Sequence, residues 1–220
     1  MKISEIFLSI DGEGIRTGYP AVFIRLFGCN IACSYCDSLY AVTGNDYTEM
    51  TVDEIIEEVE TNYPGVDKVT ITGGEPLIQD NILELICKLG ENHEINIETN
   101  GAVSLEPLRK VTGKINPGVI VTMDWKSISS GMSDKMIKEN LELLTYQDVL
   151  KFVVGSNEDL IQMKNLLLNN RINCSVFVSP VFGHIEPKAI VRFILENKLY
   201  DCRVQVQLHK VIWDPNKRGV

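Results

Sequence analysis

Basic residues are in deficit. Lys and Arg number 21 against 30 Asp and Glu, a formal net charge of −9. That balance excludes a broad nucleic-acid footprint, which needs clustered cations to neutralise phosphates. It leaves room for a small anionic ligand, because one buried arginine can serve it. Long hydrophobic runs are also missing: no window approaches ~18 uninterrupted apolar residues, so no membrane-spanning helix is expected. Residues 1–5 lack the basic start and apolar stretch of a secretory leader, and the chain reads as cytoplasmic. Repeats, low-complexity stretches and linkers are absent, and 220 residues suit one domain spanning 1–220. Cysteine is the exception, with 6 in the chain. In a reducing compartment these are not expected to pair as structural disulfides. Cys87, Cys174 and Cys202 lie scattered in apolar surroundings and read as small buried hydrophobes. Cys29, Cys33 and Cys36 fall together and need another explanation.

Strand patterns alternate with helix patterns along the chain. Strands are expected over residues 21–27, 66–72, Glu94–Thr99, 119–124, 148–154, 173–178 and 204–208. Helices are expected over 51–62, 81–90, 134–144 and Asn157–Asn169, with another opening at Pro187. Thr51 and Glu54 have the spacing of a capping box. This order implies a mainly parallel α/β sheet with right-handed crossovers. Arg25 shares a strand face with Ala21, Phe23 and Phe27, and Lys151 shares one with Val149 and Val153. Gln205, Gln207 and His209 would share a face of the last strand. Polar groups converging on one side suggest an incomplete TIM-like barrel with a wet lumen. Sites in parallel α/β architectures collect at the carboxyl ends of the strands. The unusual residues fall there: Cys29, Gly73-Gly74-Glu75, Thr99-Asn100, and Asp124 with Lys126.

Thiolates favour iron–sulfur clusters, zinc and copper(I). Gaps of three and two let Cys29, Cys33 and Cys36 hold three corners of a 4Fe–4S cube, leaving one iron open to a methionine moiety. A structural zinc would want a fourth ligand, and the closest histidine in sequence is His93. A disulfide with a spare thiol and a chance cluster of buried cysteines are the remaining readings.

Cys29-x3-Cys33-x2-Cys36 resembles the radical S-adenosylmethionine (SAM) superfamily signature. The flanks narrow the resemblance: Ile10-Asp11-Gly12-Glu13-Gly14, Phe23 to Asn30, Cys36-Asp37-Ser38, and the terminus from Gln207 to His209 and Trp213 to Val220. Together they are similar to the 7-carboxy-7-deazaguanine synthases of queuosine and deazapurine biosynthesis. The resemblance implies a partial barrel of radical SAM type and a carbon–nitrogen lyase. The reaction would be a radical ring contraction of 6-carboxy-5,6,7,8-tetrahydropterin that releases ammonia and regenerates SAM. It also implies Mg2+, a flavodoxin or ferredoxin-like electron donor, and a homodimer.

Residue by residue, the resemblance places Ile10, Asp11, Gly12, Glu13, Arg25, Thr72, Gln207, His209 and Pro215 against the pterin. Gly74, Glu75, Thr99 and Asn100 would meet SAM, as would Asp124, Trp125 and Lys126. Ser179, Pro180, Val181 and Phe182 would lie against its adenine, and Ser38 would offer a hydroxyl to Mg2+. Arg25 suits a bidentate grip on a carboxylate, and Glu13 suits the guanidine-like pterin edge. The family more often has Gln at position 11 and Ser-Pro-Lys at 124–126. Blander readings stand beside these: an internal ion pair for Arg25, a solvated turn carboxylate for Glu13, a loop cap for Ser38 and a structural role for His209. At the level of function, an activase of a glycyl radical partner and a cluster-bearing electron carrier remain as alternatives.

Overall fold

In the computed structural model, which describes residues 1–112 and 118–220, one sheet runs through the molecule. Its strands are β1 (Lys2–Ile10), β2 (Pro20–Leu26), β3 (Thr48–Glu49), β4 (Lys68–Gly73), β5 (Glu94–Thr99), β6 (Val119–Trp125), β7 (Val149–Val154), β8 (Ser175–Pro180) and β9 (Cys202–Val204). Their spatial order is β3-β1-β2-β4-β5-β6-β7-β8-β9. From β2 to β9 every pairing is parallel, while β1 runs antiparallel to both β2 and β3. This is the expected α/β architecture, an incomplete barrel of mainly parallel strands.

Period-2 alternation sorts the side chains. Val22, Ile24 and Leu26 of β2, Ile71 of β4, Ile95 and Ile97 of β5, and Leu150 and Phe152 of β7 are almost fully buried in one apolar cluster. The helices α1 (Val52–Asn62), α2 (Ile82–Leu89), α3 (Glu106–Thr112), α4 (Asn140–Leu143), α5 (Asn157–Asn169) and α6 (Pro187–Glu196) supply Ile55, Leu85, Leu108, Leu141, Leu160 and Ile190 to it. Each such side chain contributes about 1.5–3 kcal/mol on burial. The alternate residues, among them Arg25, Thr72, Glu98, Asp124 and Lys151, occupy the opposite face and enclose a polar lumen.

Several local expectations meet a different outcome. Residues 134–144 do not form one helix: a 3-10 turn covers Ser133–Lys135 and a single helical turn covers Asn140–Leu143. Buried Asn140 explains the break. Its amide donates to Gly101 O (3.2 Å) and Val103 O (2.8 Å) and accepts from Leu105 N, satisfying a neighbouring loop. The last strand ends at Val204, and Leu208–Ile212 is a short helix, α7. There the chain leaves the sheet edge because Leu208 N donates to Gly12 O at 3.1 Å, outside any strand ladder. Strand β1 and helix α3 carry mixed patterns that periodicity does not single out.

The capping box at α1 is present: Thr51 N donates to Glu54 Oε2 (2.7 Å) and Glu54 N to Thr51 Oγ1 (3.3 Å). Thr51→Ala is therefore expected to cost about 1 kcal/mol in a urea titration. An unchanged midpoint would show that packing of Ile55 and Val59 alone holds the helix.

Candidate active site

A cavity of about 400 Å³ opens at the carboxyl ends of β4 to β8. Its upper wall is the loop that follows β2. Gly28 N donates to Ala41 O (2.8 Å), Ser34 N to Ser130 O (3.0 Å), and the Tyr35 hydroxyl to Val153 O (3.1 Å). These outward anchors leave Cys29, Cys33 and Cys36 as free, half-buried thiols lining the cavity. Burial pushes the Cys33 thiol up, and the ammonium of Lys126 opposes it. The Asn100 amide reaches Cys29 Sγ at 3.5 Å, a contact that stabilises a thiolate. Among the described residues no three metal-binding side chains converge on one ion. Three thiols lining one cavity are soft donors that suit an iron–sulfur cluster.

The loop sits close to β4. Gly73 has φ +136, and a Cβ at Gly74 would overlap Gly28 O and lie 3.1 Å from Cys29 Cβ. Only glycine allows that approach. Glu75 follows, fully buried, and its carboxylate accepts from Leu77 N (3.0 Å), the Thr99 hydroxyl (2.8 Å) and Asn100 N (2.7 Å). Burial raises its pKa against these donors. Glu75 thus ties the loop after β4 to the loop after β5 and does not line the cavity.

Across the lumen runs a row of alternating charges. Lys151 Nζ lies 3.2 Å from Glu13 Oε2 and 3.0 Å from Asp124 Oδ1, and Lys126 Nζ lies 2.7 Å from Asp124 Oδ2. Burial by itself would raise the Glu13 carboxyl, but Lys151 and the donors Ser179 and Gln207 hold it below its ordinary value. Burial opposes ionisation of Asp124 too, and Lys126 and Lys151 outweigh it. Burial would lower Lys151, and Asp124 and Glu13 together keep it charged. Glu13 Oε1 also accepts from Ser179 Oγ (2.7 Å) and Gln205 Nε2 (3.3 Å), and Oε2 from Gln207 Nε2 (3.3 Å).

Arg25 stands to one side of this row. Its Nε donates to Glu5 Oε1 at 2.7 Å, and neither Nη nitrogen has a hydrogen-bond partner among the described residues. Ile10, Gly12, Thr72 and Thr99 line the same cavity, as do Val181 and Phe182. Ser38, Gln207, His209 and Pro215 reach it from the cysteine loop and the C-terminal segment. Burial lowers the His209 pKa, opposed by Glu13 and Asp37.

Five expected contacts are not brought to the cavity wall. Besides Glu75 these are Asp11, Trp125, Ser179 and Pro180. Asp11 is turned toward the floor of the barrel, where it accepts from Arg16 Nε (2.8 Å) and the Thr70 hydroxyl (2.7 Å). Trp125 and Pro180 fall on the helix-facing side because each strand continues through them with the same alternation. Ser179 faces inward but is covered by Glu13. Conversely, Glu98 lines the cavity and accepts from Thr72 Oγ1 at 2.7 Å. Its signal was the strict alternation of Glu94, Asn96 and Glu98 with Ile95 and Ile97.

Two outcomes follow from this geometry. Gly74→Ala is expected to lower the iron bound per chain after anaerobic reconstitution while circular dichroism stays native; full iron content would mean the loop moves aside freely. Lys151→Met leaves buried Glu13 without its cation and Asp124 with Lys126 alone, at a cost of about 3–5 kcal/mol near neutral pH. In the native protein both carboxyls titrate below their ordinary values, so their contribution is present at neutral pH and lost as pH falls through those lowered values. The melting-temperature gap between variant and native protein should therefore narrow as pH falls below the ordinary carboxyl values of 4.5 and 3.8, and a gap that stays constant there would refute the pairing.

Known proteins match this fold and this sequence. Residues 23–142 match the Radical SAM superfamily. The 7-carboxy-7-deazaguanine synthase of Clostridium acetobutylicum is 44% identical over 100% of this chain and 99% of its own. Proteins of the same name from Pyrobaculum aerophilum and Chlorobaculum tepidum are 43% and 36% identical, each over 100% of this chain and 97% of their own. Among solved structures, QueE from Escherichia coli superposes with a TM-score of 0.73 at 22% identity, covering 94% of both chains. Streptococcus suis SuiB bound to S-adenosylmethionine superposes at 0.54 and 15% identity, over 84% of this chain and 51% of that one. With a superfamily match over more than half its length and relatives of one name aligned from end to end, the chain belongs to the 7-carboxy-7-deazaguanine synthase family of radical SAM enzymes.

Proposed function

We propose that this enzyme converts 6-carboxy-5,6,7,8-tetrahydropterin to 7-carboxy-7-deazaguanine with loss of ammonia, and that residues 1–220 act as one catalytic domain. Radical SAM membership brings a 4Fe–4S cluster and SAM as cofactors. The observation that carries the substrate reading is Arg25, whose guanidinium keeps two free nitrogens in the cavity that holds the three cysteines. One planar cation with an unpaired edge suits one carboxylate. The names of the relatives favour the synthase over an activase of a partner protein.

Cys29, Cys33 and Cys36 would hold the cluster, which, with SAM bound, supplies the carbon radical that starts the ring contraction. The chain's own residues orient and shield. Arg25 grips the carboxylate, and Glu13 takes the guanidine-like pterin edge by displacing the two glutamine contacts at 3.3 Å. Lys151 keeps Glu13 ionised for that purpose. Lys126 and Asn100 meet the polar part of SAM, and Val181 and Phe182 present apolar surface to its adenine. Thr72 and Glu98 form one hydrogen-bonded unit on the same wall. His209 and Pro215 cover the ligand from the C-terminal side and exclude water.

Ser38 is the proposed protein ligand of Mg2+. Its hydroxyl lines the cavity with, among the described residues, only a 3.9 Å contact to Cys36 Sγ, so its oxygen is available to a hard cation that keeps waters and substrate oxygens as other ligands. The enzyme is further proposed to work in the cytoplasm as a homodimer, reduced by a flavodoxin or ferredoxin-like donor. No helix among the described residues is long and apolar enough to cross a membrane.

The test is anaerobic reconstitution followed by SAM, dithionite, Mg2+ and the carboxytetrahydropterin. The deazaguanine product is expected, and SAM cleavage without it would overturn the substrate reading. Arg25→Ala should abolish turnover with cluster absorbance intact, whereas loss of the cluster would reassign Arg25 to the fold. Ser38→Ala should raise the Mg2+ concentration needed for half-maximal rate.

A further inference from the structure

Arg25 reaches the cavity from the middle of a packed strand pair, and an irregularity in the neighbouring strand sets its direction. The β1–β2 register runs Ile3↔Leu26 and then Glu5↔Arg25, so Ser4 is an extra residue in β1. Without it, Ser4 would face Arg25 and Glu5 would face Ile24. Ile24 is fully buried on the helix side of the sheet, where a carboxylate would have no partner. The bulge lets Ile3 stay in the apolar core at 4% exposure and turns Glu5 to the lumen side, opposite Arg25. Bulges often re-aim a side chain next to a site.

Glu5 Oε1 then accepts two hydrogen bonds of 2.7 Å, one from Arg25 Nε and one from the hydroxyl of Tyr40. The Tyr40 ring lies 5.9 Å from the Arg25 guanidinium, and the Arg218 guanidinium packs 3.8 Å from the ring centroid. Arg218 is itself paired with Asp46 at 3.2 Å. A guanidinium free to swing about its long side chain would lose rotamer entropy on gripping an anion. Bound through Nε, with Phe7 5.7 Å away, it keeps only its Nη edge for a ligand.

We propose that Glu5 and Tyr40 are positioning residues that hold the Nη edge of Arg25 toward the cavity, and so set the enzyme's preference for a carboxylated pterin. The proposal rests on the substrate reading above. Glu5 itself does not line the cavity, so it acts through Arg25; Tyr40 does line it, with its hydroxyl turned to Glu5. Arg218, on the C-terminal segment, packs against Tyr40 and helps to hold the ring in place.

The experiment compares 6-carboxypterin with unsubstituted pterin as unreactive fluorescent ligands of the reconstituted protein with SAM and Mg2+. Native protein is expected to prefer the carboxylated ligand. Glu5→Gln and Tyr40→Phe should each cut that preference about tenfold, the loss of one charge-assisted hydrogen bond. Affinity for unsubstituted pterin, SAM binding and iron content should stay unchanged. Variants that retain the full preference would overturn the proposal, as would an equal loss of affinity for both ligands, which marks a structural role. Native protein without any preference would remove the substrate reading and the positioning role together, an outcome distinct from the other two.

Discussion

The ammonium of Lys151, held between Glu13 and Asp124, is the interaction on which the lumen depends. It reaches from β7 to β6 and to the turn after β1, and through Glu13 it engages Ser179 of β8 and two glutamines of the C-terminal segment. Five segments distant in sequence therefore share one electrostatic unit. A buried row of this kind is costly to desolvate, and only near-complete pairing makes it tolerable. That requirement explains why the charges alternate in sign, with Asp124 Oδ1 held by the Lys151 ammonium at 3.0 Å.

The paired row and the three thiols line the same cavity. Two backbone features hold its walls together. The glycines after β4 let the cysteine loop approach within contact distance, and buried Glu75 ties that approach to the residues following β5. Metal-side and ligand-side geometry are thus fixed by the same few turns. A shift in one turn would be felt by both, which is how a fold with largely generic strand pairing supports one particular site.

The sequence made the architecture legible wherever local patterns are self-sufficient. Glu94–Thr99 and Asn157–Asn169 have the bounds that periodicity indicates, and the capping box at Thr51 is in place. It failed where long-range partners override local preference. Residues 204–208 alternate like a strand, yet the backbone of Leu208 bonds to Gly12. Residues 134–144 look helical, yet Asn140 serves another loop.

What the sequence determined by itself was chemistry: three thiols at cluster spacing, an arginine on a strand before them, glycines after the next strand, and a surplus of acid. Those depend on residue type and short-range spacing, which the chain carries explicitly. Only the tertiary structure decided direction. The bulge at Ser4 that brings Glu5 opposite Arg25, the inward turn of Glu98, and the choice of Asp11 for Arg16 over the cavity are each set by a partner far away in sequence. Side-chain direction in a sheet changes with a single residue of register, and register is settled by the whole set of strands packing together.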